Sequence, residues 1–254
     1  MRYVKLAWLS VVLVLALADA SASGSPQEIW TMCYPLPAGG RVTVVNVQGS
    51  IRVEGWDRSE VELTVGKSVA GVDGRLAGVN IEVERGADWL RVRTLYPEES
   101  VEPVRVDYYL RVPRQVRLEG LHTVNGDIRV RNLEGRVEAR TLNGDIEQRG
   151  IAGSVVARTL NGSIRVALRA LPEPDGELRL ETVNGDLNLL LPAEPNAELE
   201  ASTVAGRIYS DFFSVAGGPG GDTALRTQLG RGGLRVRLRT IRGNIRVAQT
   251  EDVL

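Results

Sequence analysis

The chain is poor in the residues that build covalent, metal and acid–base sites. Its 254 residues include one cysteine and one histidine. The single cysteine, Cys33, excludes an internal disulfide, and we expect it to be a buried small hydrophobic side chain. The single histidine, His122, leaves no His/Cys cluster for zinc, and any histidine-based triad would have to use it. The composition therefore gives little support to catalysis, and we expect no cofactor.

Charge of one sign and long apolar runs are also scarce. The formal net charge is −1 at pH 7, so no overall basic excess points to nucleic acid as a partner. Residues 1–22 combine Arg2 and Lys5, an apolar run and the small-x-small sequence Ala20-Ser21-Ala22, which are the three parts of a secretory signal peptide. The run is short for a bilayer span of about 20 residues. The sequence predicts export to the periplasm or the cell surface, with no transmembrane anchor after signal cleavage.

Glycine, by contrast, recurs at a fixed spacing. Five glycines follow one another at steps of nine residues: Gly126, Gly135, Gly144, Gly153 and Gly162. Every second one carries nearly the same phrase, which reads T-V-N-G-D-I at 123–128, T-L-N-G-D-I at 141–146 and T-L-N-G-S-I at 159–164. Looser copies occupy 46–51, 182–187, 203–208 and 240–245. A short fixed period is typical of repetitive β architecture.

Between these glycines, apolar and charged residues alternate. Counted from Gly126, Gly135 and Gly153, apolar residues recur at positions +2, +4 and +7. This alternation predicts strands with one buried face and one solvated face. It groups the +7 residues Leu133, Leu142 and Leu160 with the buried set.

Two architectures fit the spacing. An Asn-Gly pair between alternating runs is a strong hairpin signal, which favours an antiparallel β-meander or sandwich. An 18-residue unit would instead make one coil of a parallel β-solenoid, with two short strands and two corners. The whole phrase, threonine included, recurs at every second turn, so that like residues would stack about 4.8 Å apart along the axis. A meander does not require this, and the sequence favours the all-β solenoid.

The repeats also predict how the chain is organised. After a signal peptide at 1–22, we expect a single β-repeat domain over 23–254. Within it we expect an N-terminal cap at 23–40, irregular coils at 41–120 and regular repeats with inserted loops at 121–247. The longest predicted loop runs from Phe212 to Arg231, because proline and glycine clusters punctuate strands.

The phrase resembles a known family. The pattern [ST]-x-N-G-[DS]-I, preceded by Gly39-Gly40-Arg41-Val42 and by the segment 49–58, is similar to the putative adhesin family of bacterial envelope proteins, a β-strand-repeat domain of unknown function. The resemblance covers most of 35–247. It implies a right-handed parallel β-helix-like fold on an exported protein with an adhesin-like role. Ala205 and Arg242 depart from the asparagine of the phrase, which indicates that this asparagine is a turn preference.

The Asn-Gly turns have two interpretations. The aspartates that follow them, Asp127, Asp145 and Asp186, could ligate calcium, as glycine–aspartate turns do in some repeat proteins. Arg207 takes the same position in a later copy, however, and would repel a cation. Asparagine tolerates the turn conformation and glycine supplies positive φ. The sequence favours structural turns at Asn125, Gly126, Asn143, Gly144, Asn161, Gly162, Asn184 and Gly185.

One charge run stands out near the C-terminal end, where residues 223–250 hold seven arginines and no acidic residue. Five of them are the candidate anion- or partner-binding residues: Arg235, Arg237, Arg239, Arg242 and Arg246. The first three alternate with apolar residues and should share one face of a strand. Arginine forks bind carboxylate and phosphate groups well, so the candidate partners are an anionic envelope glycan or lipid, or another envelope protein. The alternatives are an ordinary solvated face and a charged guard on a terminal strand.

Together these features favour an exported, non-enzymatic β-solenoid that serves as an adhesin-like binding or structural module of the bacterial cell envelope. One alternative is an enzyme acting on an envelope polysaccharide. It would need carboxylates such as Glu138, Glu147 and Glu181 to share one cleft. The other alternative is a partner in envelope stress sensing.

Overall fold

The computed structural model describes residues 27–69, 78–97, 104–212 and 224–250, and the predicted signal peptide lies outside these ranges. The described residues form strands and turns, with no helix among them. The strands in chain order are β1 (Gln27–Pro35), β2 (Arg41–Val45), β3 (Ile51–Trp56), β4 (Glu60–Val69), β5 (Asn80–Arg85), β6 (Trp89–Leu95), β7 (Val104–Pro113), β8 (Arg117–Asn125), β9 (Ile128–Arg131), β10 (Val137–Asn143), β11 (Ile146–Ala152), β12 (Val155–Arg158), β13 (Ile164–Ala170), β14 (Glu177–Glu181), β15 (Leu187–Leu191), β16 (Ala197–Ser202), β17 (Ile208–Ser210), β18 (Ala224–Leu229), β19 (Leu234–Arg239) and β20 (Ile245–Gln249).

These strands make two open, ten-stranded mixed sheets around one core. Sheet 1 has the order β1-β4-β7-β3-β9-β11-β13-β15-β20-β17, and sheet 2 has the order β18-β16-β19-β14-β12-β10-β8-β2-β6-β5. Antiparallel pairs occur only towards the sheet ends, at β1–β4, β4–β7, β5–β6 and β16–β18. The phrase-bearing strands pair in parallel. The antiparallel meander is therefore wrong for the repeat region.

Successive strands of the repeat region alternate between the two sheets. We call such a pair, with one strand in each sheet, a rung. The rungs β8–β9, β10–β11, β12–β13 and β14–β15 stack in chain order. At each copy of the phrase the chain passes from sheet 2 to sheet 1, and we call this side of the molecule the phrase corner. Copies of the phrase lie one above another there, as the 18-residue unit predicts.

Stacking order departs from chain order at both ends. The rung β16–β17 is outermost, and the later rung β19–β20 returns to lie between it and β14–β15. At the other end, β6–β7 stacks outside β2–β3, and β8–β9 then continues from the inner side. The arginine-rich strand is thus an interior strand, and the expectation that it guards a sheet end is wrong. The predicted loop from Phe212 to Arg231 contains an edge strand, β18; residues 213–223 lie outside the described ranges.

The core is aliphatic, but the +7 leucines do not all join it. Leu133 is fully buried, whereas Leu142 is 43% and Leu160 38% exposed. The prediction that all three are buried is wrong, because the two corners of a rung differ. At the phrase corner the threonine turns inward: Thr141 is buried, and its Oγ1 donates to the carbonyl oxygen of Gly126 at 2.9 Å. The residue after the threonine must then point outward.

The position of strand β1 at the sheet edge explains why the prediction for Cys33 is wrong. It pairs only with β4, in antiparallel register, along one edge of sheet 1. Cys33 lies on this strand and is exposed, so the prediction of a buried cysteine is wrong. Partial burial and the neighbouring carboxylates of Glu60 and Glu62 raise the pKa of its thiol, which keeps the unreactive protonated form at neutral pH.

Candidate functional site

The phrase corner is held together by side-chain ladders that run from rung to rung. The threonine hydroxyls donate to the glycine carbonyl of the preceding rung, as Thr159 does to Gly144 at 3.0 Å and Thr182 to Gly162 at 2.9 Å. The asparagine amides form a second ladder: Asn143 donates to Asn125 at 2.7 Å, Asn161 to Asn143 at 2.8 Å, and Asn184 to Asn161 at 2.8 Å. Each asparagine thus ties two rungs together.

The aspartates of the phrase form a third ladder. Asp127 Oδ1 accepts the backbone N–H of Asp145 at 3.0 Å, and Asp145 Oδ1 accepts that of Ser163 at 2.7 Å. Further along, Asn244 Oδ1 fills the same role for Arg207 at 3.0 Å. An acceptor oxygen, rather than a negative charge, is what these positions share. Within the described ranges, no group of three or more His, Cys, Asp or Glu side chains is arranged to hold a metal ion.

The glycines of the phrase lie where neighbouring rungs touch through their backbones. A Cβ atom on Gly162 would overlap the carbonyl oxygen of Gly144, and one on Gly185 would overlap that of Gly162. Gly162 also has φ = 152°, in the region that side chains disfavour. Close approach of the corner backbones therefore requires glycine here.

The arginines of β19 project from the outer face of sheet 2. Leu234, Val236 and Leu238 point inward and are at most 2% exposed, so the alternating Arg235, Arg237 and Arg239 are exposed, as the pattern predicted. The flanking strands bring acidic neighbours. In register, Glu177 and Glu198 lie on either side of Arg235. Glu200 lies beside Arg237, with Nε and Oε2 3.7 Å apart.

The structure does not gather the five predicted arginines on one face. Arg242 lies at the phrase corner, between Asn184 and Ala205 of the adjacent rungs. Arg246 projects from β20 in sheet 1, 3.8 Å from a carboxylate oxygen of Asp211. Three of the five therefore line sheet 2, one marks the corner and one belongs to the opposite sheet.

Ion pairing differs between the middle and this end of the stack. In the middle rungs Arg140 pairs with Glu138 at 2.5 Å, and Arg158 with Glu181 at 2.8 Å. Around the last two rungs, residues 197–212 and 224–250 carry eight arginines against three carboxylates. Six of the eight arginines have no carboxylate of the described residues within 4.0 Å. They are Arg207, Arg226, Arg231, Arg235, Arg239 and Arg242. Uncompensated positive charge is concentrated at this end.

The three carboxylates considered for catalysis do not share one face of the molecule. Glu138 and Glu181 lie on sheet 2, and Glu147 lies on sheet 1, where it pairs with Arg149. Partial burial opposes ionisation of Glu181, but the guanidinium groups of Arg179 and Arg158 outweigh it and lower the pKa of the carboxyl. A general acid needs the opposite shift. The two sheets separate Glu147 from Glu138 and Glu181, so the three acids do not converge on one cleft.

His122 is half-buried on β8, in register with Arg140. Burial and the nearby Arg140 guanidinium lower the pKa of its imidazole, while Glu138 acts weakly in the other direction. The side chain is therefore neutral at pH 7. It has no hydroxyl partner within hydrogen-bond distance among the described residues, as a histidine-activated nucleophile would require.

Sequence reasoning missed a row of aliphatic side chains at the phrase corner, all exposed except the half-buried Val183. The second position of each phrase copy supplies one member, and the row, here called the corner stripe, consists of Val47, Val124, Leu142, Leu160, Val183, Ile241 and Val204 in stacking order. It contains six of the ten large hydrophobic side chains that are exposed in the described part of the chain. The signal was present: all seven copies carry Val, Leu or Ile at a turn position that has no need of an apolar residue.

The fold is similar to solved structures of low sequence identity. A putative cell adhesion protein from Clostridium sporogenes is 12% identical, with 88% of this chain and 100% of that chain covered and a TM-score of 0.48. A putative adhesin from Bacteroides fragilis is 11% identical, with 88% and 97% covered and a TM-score of 0.38. A putative lipid binding protein from Parabacteroides distasonis is 11% identical, with the same coverage and a TM-score of 0.32.

Two of these three structures carry the adhesin description that the phrase had indicated. At such identities and TM-scores the likeness carries no argument about ligand or activity. No family model and no curated protein sequence matches the chain. Within the described ranges, no helix is long and apolar enough to cross a membrane.

Proposed function

We propose that the protein is an exported, non-enzymatic binding module of the bacterial cell envelope, with an adhesin-like role. Its ligand is an anionic envelope component. The observation that carries this proposal is the concentration of unpaired arginines at the β16–β20 end, where exposed guanidinium groups such as Arg235 and Arg239 meet no carboxylate of the described residues within 4.0 Å. Guanidinium groups that no internal acid occupies are available to external carboxylate or phosphate.

The architecture that we propose is a right-handed parallel β-helix whose two long faces are the two sheets. Parallel pairing of like strands and the regular crossing at the phrase corner support it. We further propose one β-repeat domain over 23–254 with a cleaved signal peptide at 1–22. In this domain residues 23–40 form the N-terminal cap, residues 41–120 the irregular coils and residues 121–247 the regular repeats.

Replacing the three arginines of β19 by glutamine tests the binding role. The variant R235Q/R237Q/R239Q should bind an anionic polysaccharide resin and bacterial envelope fragments about a hundredfold more weakly than the wild type, because each of the three arginines contributes about 1 kcal/mol near an anionic surface. Thermal stability should stay nearly unchanged, since all three side chains are exposed. Co-sedimentation with envelope fragments at two salt concentrations gives the affinity.

The matched control is R52Q/R131Q/R165Q. These three arginines are also exposed, have no carboxylate of the described residues within 4.0 Å and project from sheet 1, so the control changes net charge by the same amount. It should bind like the wild type. Equal losses in both variants would show that net charge alone matters, and absence of binding by the wild type would refute the proposed function.

A further inference from the structure

The corner stripe changes character along its length. In the middle rungs Leu142 and Leu160 are followed by Asn143 and Asn161 and then by the acidic or hydroxyl side chains of the third ladder. In the last two rungs, Ile241 is followed by Arg242, and Val204 by Ala205 and then by Arg207. The departures from the phrase thus remove acids and add arginines at one end of the stripe.

Exposure is greatest at the terminal rung of the same end. Val204 is 71% exposed, more than any other member of the stripe, whereas Ile241, at 39%, is exposed to the same degree as the members in the middle rungs. Arg239 precedes the corner on β19, while Arg242 and Arg207 follow it on the other side. Aliphatic side chains at the tip are therefore flanked on both sides by guanidinium groups, none of which lies within 4.0 Å of a carboxylate of the described residues.

We infer that this end of the corner stripe docks on an anionic lipid surface, with Val204 and Ile241 entering the headgroup region and Arg207, Arg239 and Arg242 contacting lipid phosphates. Exposed aliphatic groups beside arginines are the combination that binds an anionic bilayer surface, because apolar burial and charge attraction add together. The inference rests on the proposed function, since it names the class of anionic ligand.

A second copy of the chain fits the stripe less well. Seven rungs spaced about 4.8 Å apart give a stripe about 29 Å long and one side chain wide. Its area falls well below the roughly 800 Å² per partner of a standard protein interface. Arginines on both flanks would also face each other in a two-fold contact, and like charges at an interface are unfavourable. A soluble glycan would use the arginines but gain nothing from aliphatic groups.

Vesicle binding distinguishes an anionic lipid surface from a second copy of the chain and from a soluble glycan. The test measures co-sedimentation of the mature chain with vesicles of phosphatidylglycerol and phosphatidylcholine in equal parts, and with phosphatidylcholine alone. Wild type should bind the first and not the second. V204Q/I241Q should lower the affinity for the anionic vesicles about tenfold, and R207Q/R242Q about thirtyfold. V204Q/I241Q should retain its affinity for the anionic polysaccharide resin, which contains no apolar phase.

The control comes from the same stripe. V124Q/L142Q replaces two members of similar type, exposed by 37% and 43%, in the rungs flanked by Asp127 and Asp145. This control should bind vesicles like the wild type.

Unchanged vesicle binding by V204Q/I241Q, or equal losses in the control, would overturn docking at this end. Retention on the polysaccharide resin without vesicle binding would also overturn it and leave the proposed function standing. Sedimentation velocity that shows a wild-type dimer lost in V204Q/I241Q would assign the stripe to self-association instead.

Discussion

Gln148 is the most unusual residue in the core. Its side chain is fully buried on β11, in register with Val130 and Val166, and neither Oε1 nor Nε2 has a hydrogen-bond partner among the protein atoms. A buried amide without partners costs about 1–3 kcal/mol. The neighbouring rungs place valine at this position, so the fold itself does not require an amide.

Replacing Gln148 by leucine, which is of similar volume, should therefore stabilise the protein. We expect Q148L to raise the free energy of unfolding by about 1–2 kcal/mol, because it removes an unsatisfied amide without opening a cavity. Urea denaturation measures the change. A matched V247Q variant, which adds a buried amide on β20 away from Gln148, should lower stability instead. A loss of stability in Q148L would mean that the amide is satisfied in solution.

At the scale of the element, the phrase corner is defined by backbone contact. From Gly126 onward, the glycine of each copy meets the glycine carbonyl of a neighbouring rung, while threonine, asparagine and the aspartate position hydrogen-bond across the same gap. The corner accepts Ala205 or Arg242 in place of asparagine because the backbone bonds persist there: Arg242 N–H donates to Val183 O at 2.8 Å. Glycine has no such substitute.

Gly162 tests this requirement. We expect G162A to lower the free energy of unfolding by about 3 kcal/mol, because the added methyl group overlaps the Gly144 carbonyl and the backbone has positive φ. The control is G66A on β4, where a Cβ atom would meet only Ile29 Cγ1, at 3.9 Å. That variant should differ from the wild type by less than about 1 kcal/mol. Equal effects of the two substitutions in thermal denaturation would argue against the close contact.

At the scale of the whole molecule, the stack is not built in the order of synthesis. The last rung, β19–β20, inserts between two rungs that precede it in the chain and contributes Val236, Ile245 and Val247 to the core, all fully buried. An ordinary repeat array can lose its last repeat and keep the others, because each repeat contacts only its neighbours in sequence. Here the final repeat is interior, so the end of the stack depends on it.

Truncation measures that dependence. Deleting residues 234–254 should abolish cooperative thermal unfolding of the β16–β18 end and lower the midpoint of the remainder, since β14 and β16 both lose their parallel neighbour. Deleting residues 1–35, which removes the edge strand β1, should lower the midpoint but leave one cooperative transition. Circular dichroism follows both. A truncated chain that unfolds like the wild type would contradict the interior position of the rung.

The local sequence was sufficient for the features that repeat within 18 residues. Alternation placed Leu234, Val236 and Leu238 inside and the arginines between them outside, and the phrase indicated stacked turns. It misplaced Leu142 and Leu160, because whether a residue at a corner points inward depends on the direction that the preceding threonine takes. It also missed the corner stripe, since exposure at a corner is not a property of strand alternation.

Within the regular repeats, the sequence by itself determined the period, the strands, the glycine positions and the buried face of the strands, because all of these follow from contacts between like residues one repeat apart. Only the tertiary structure decided the order of the rungs at the two ends. That order sets which acids lie beside β19, leaves Arg207, Arg239 and Arg242 without carboxylate partners among the described residues, and brings them together around Ile241 and Val204. Pairing between segments far apart in the chain, such as β14 with β19, is chosen by edge complementarity and closure of the core, which no local pattern records.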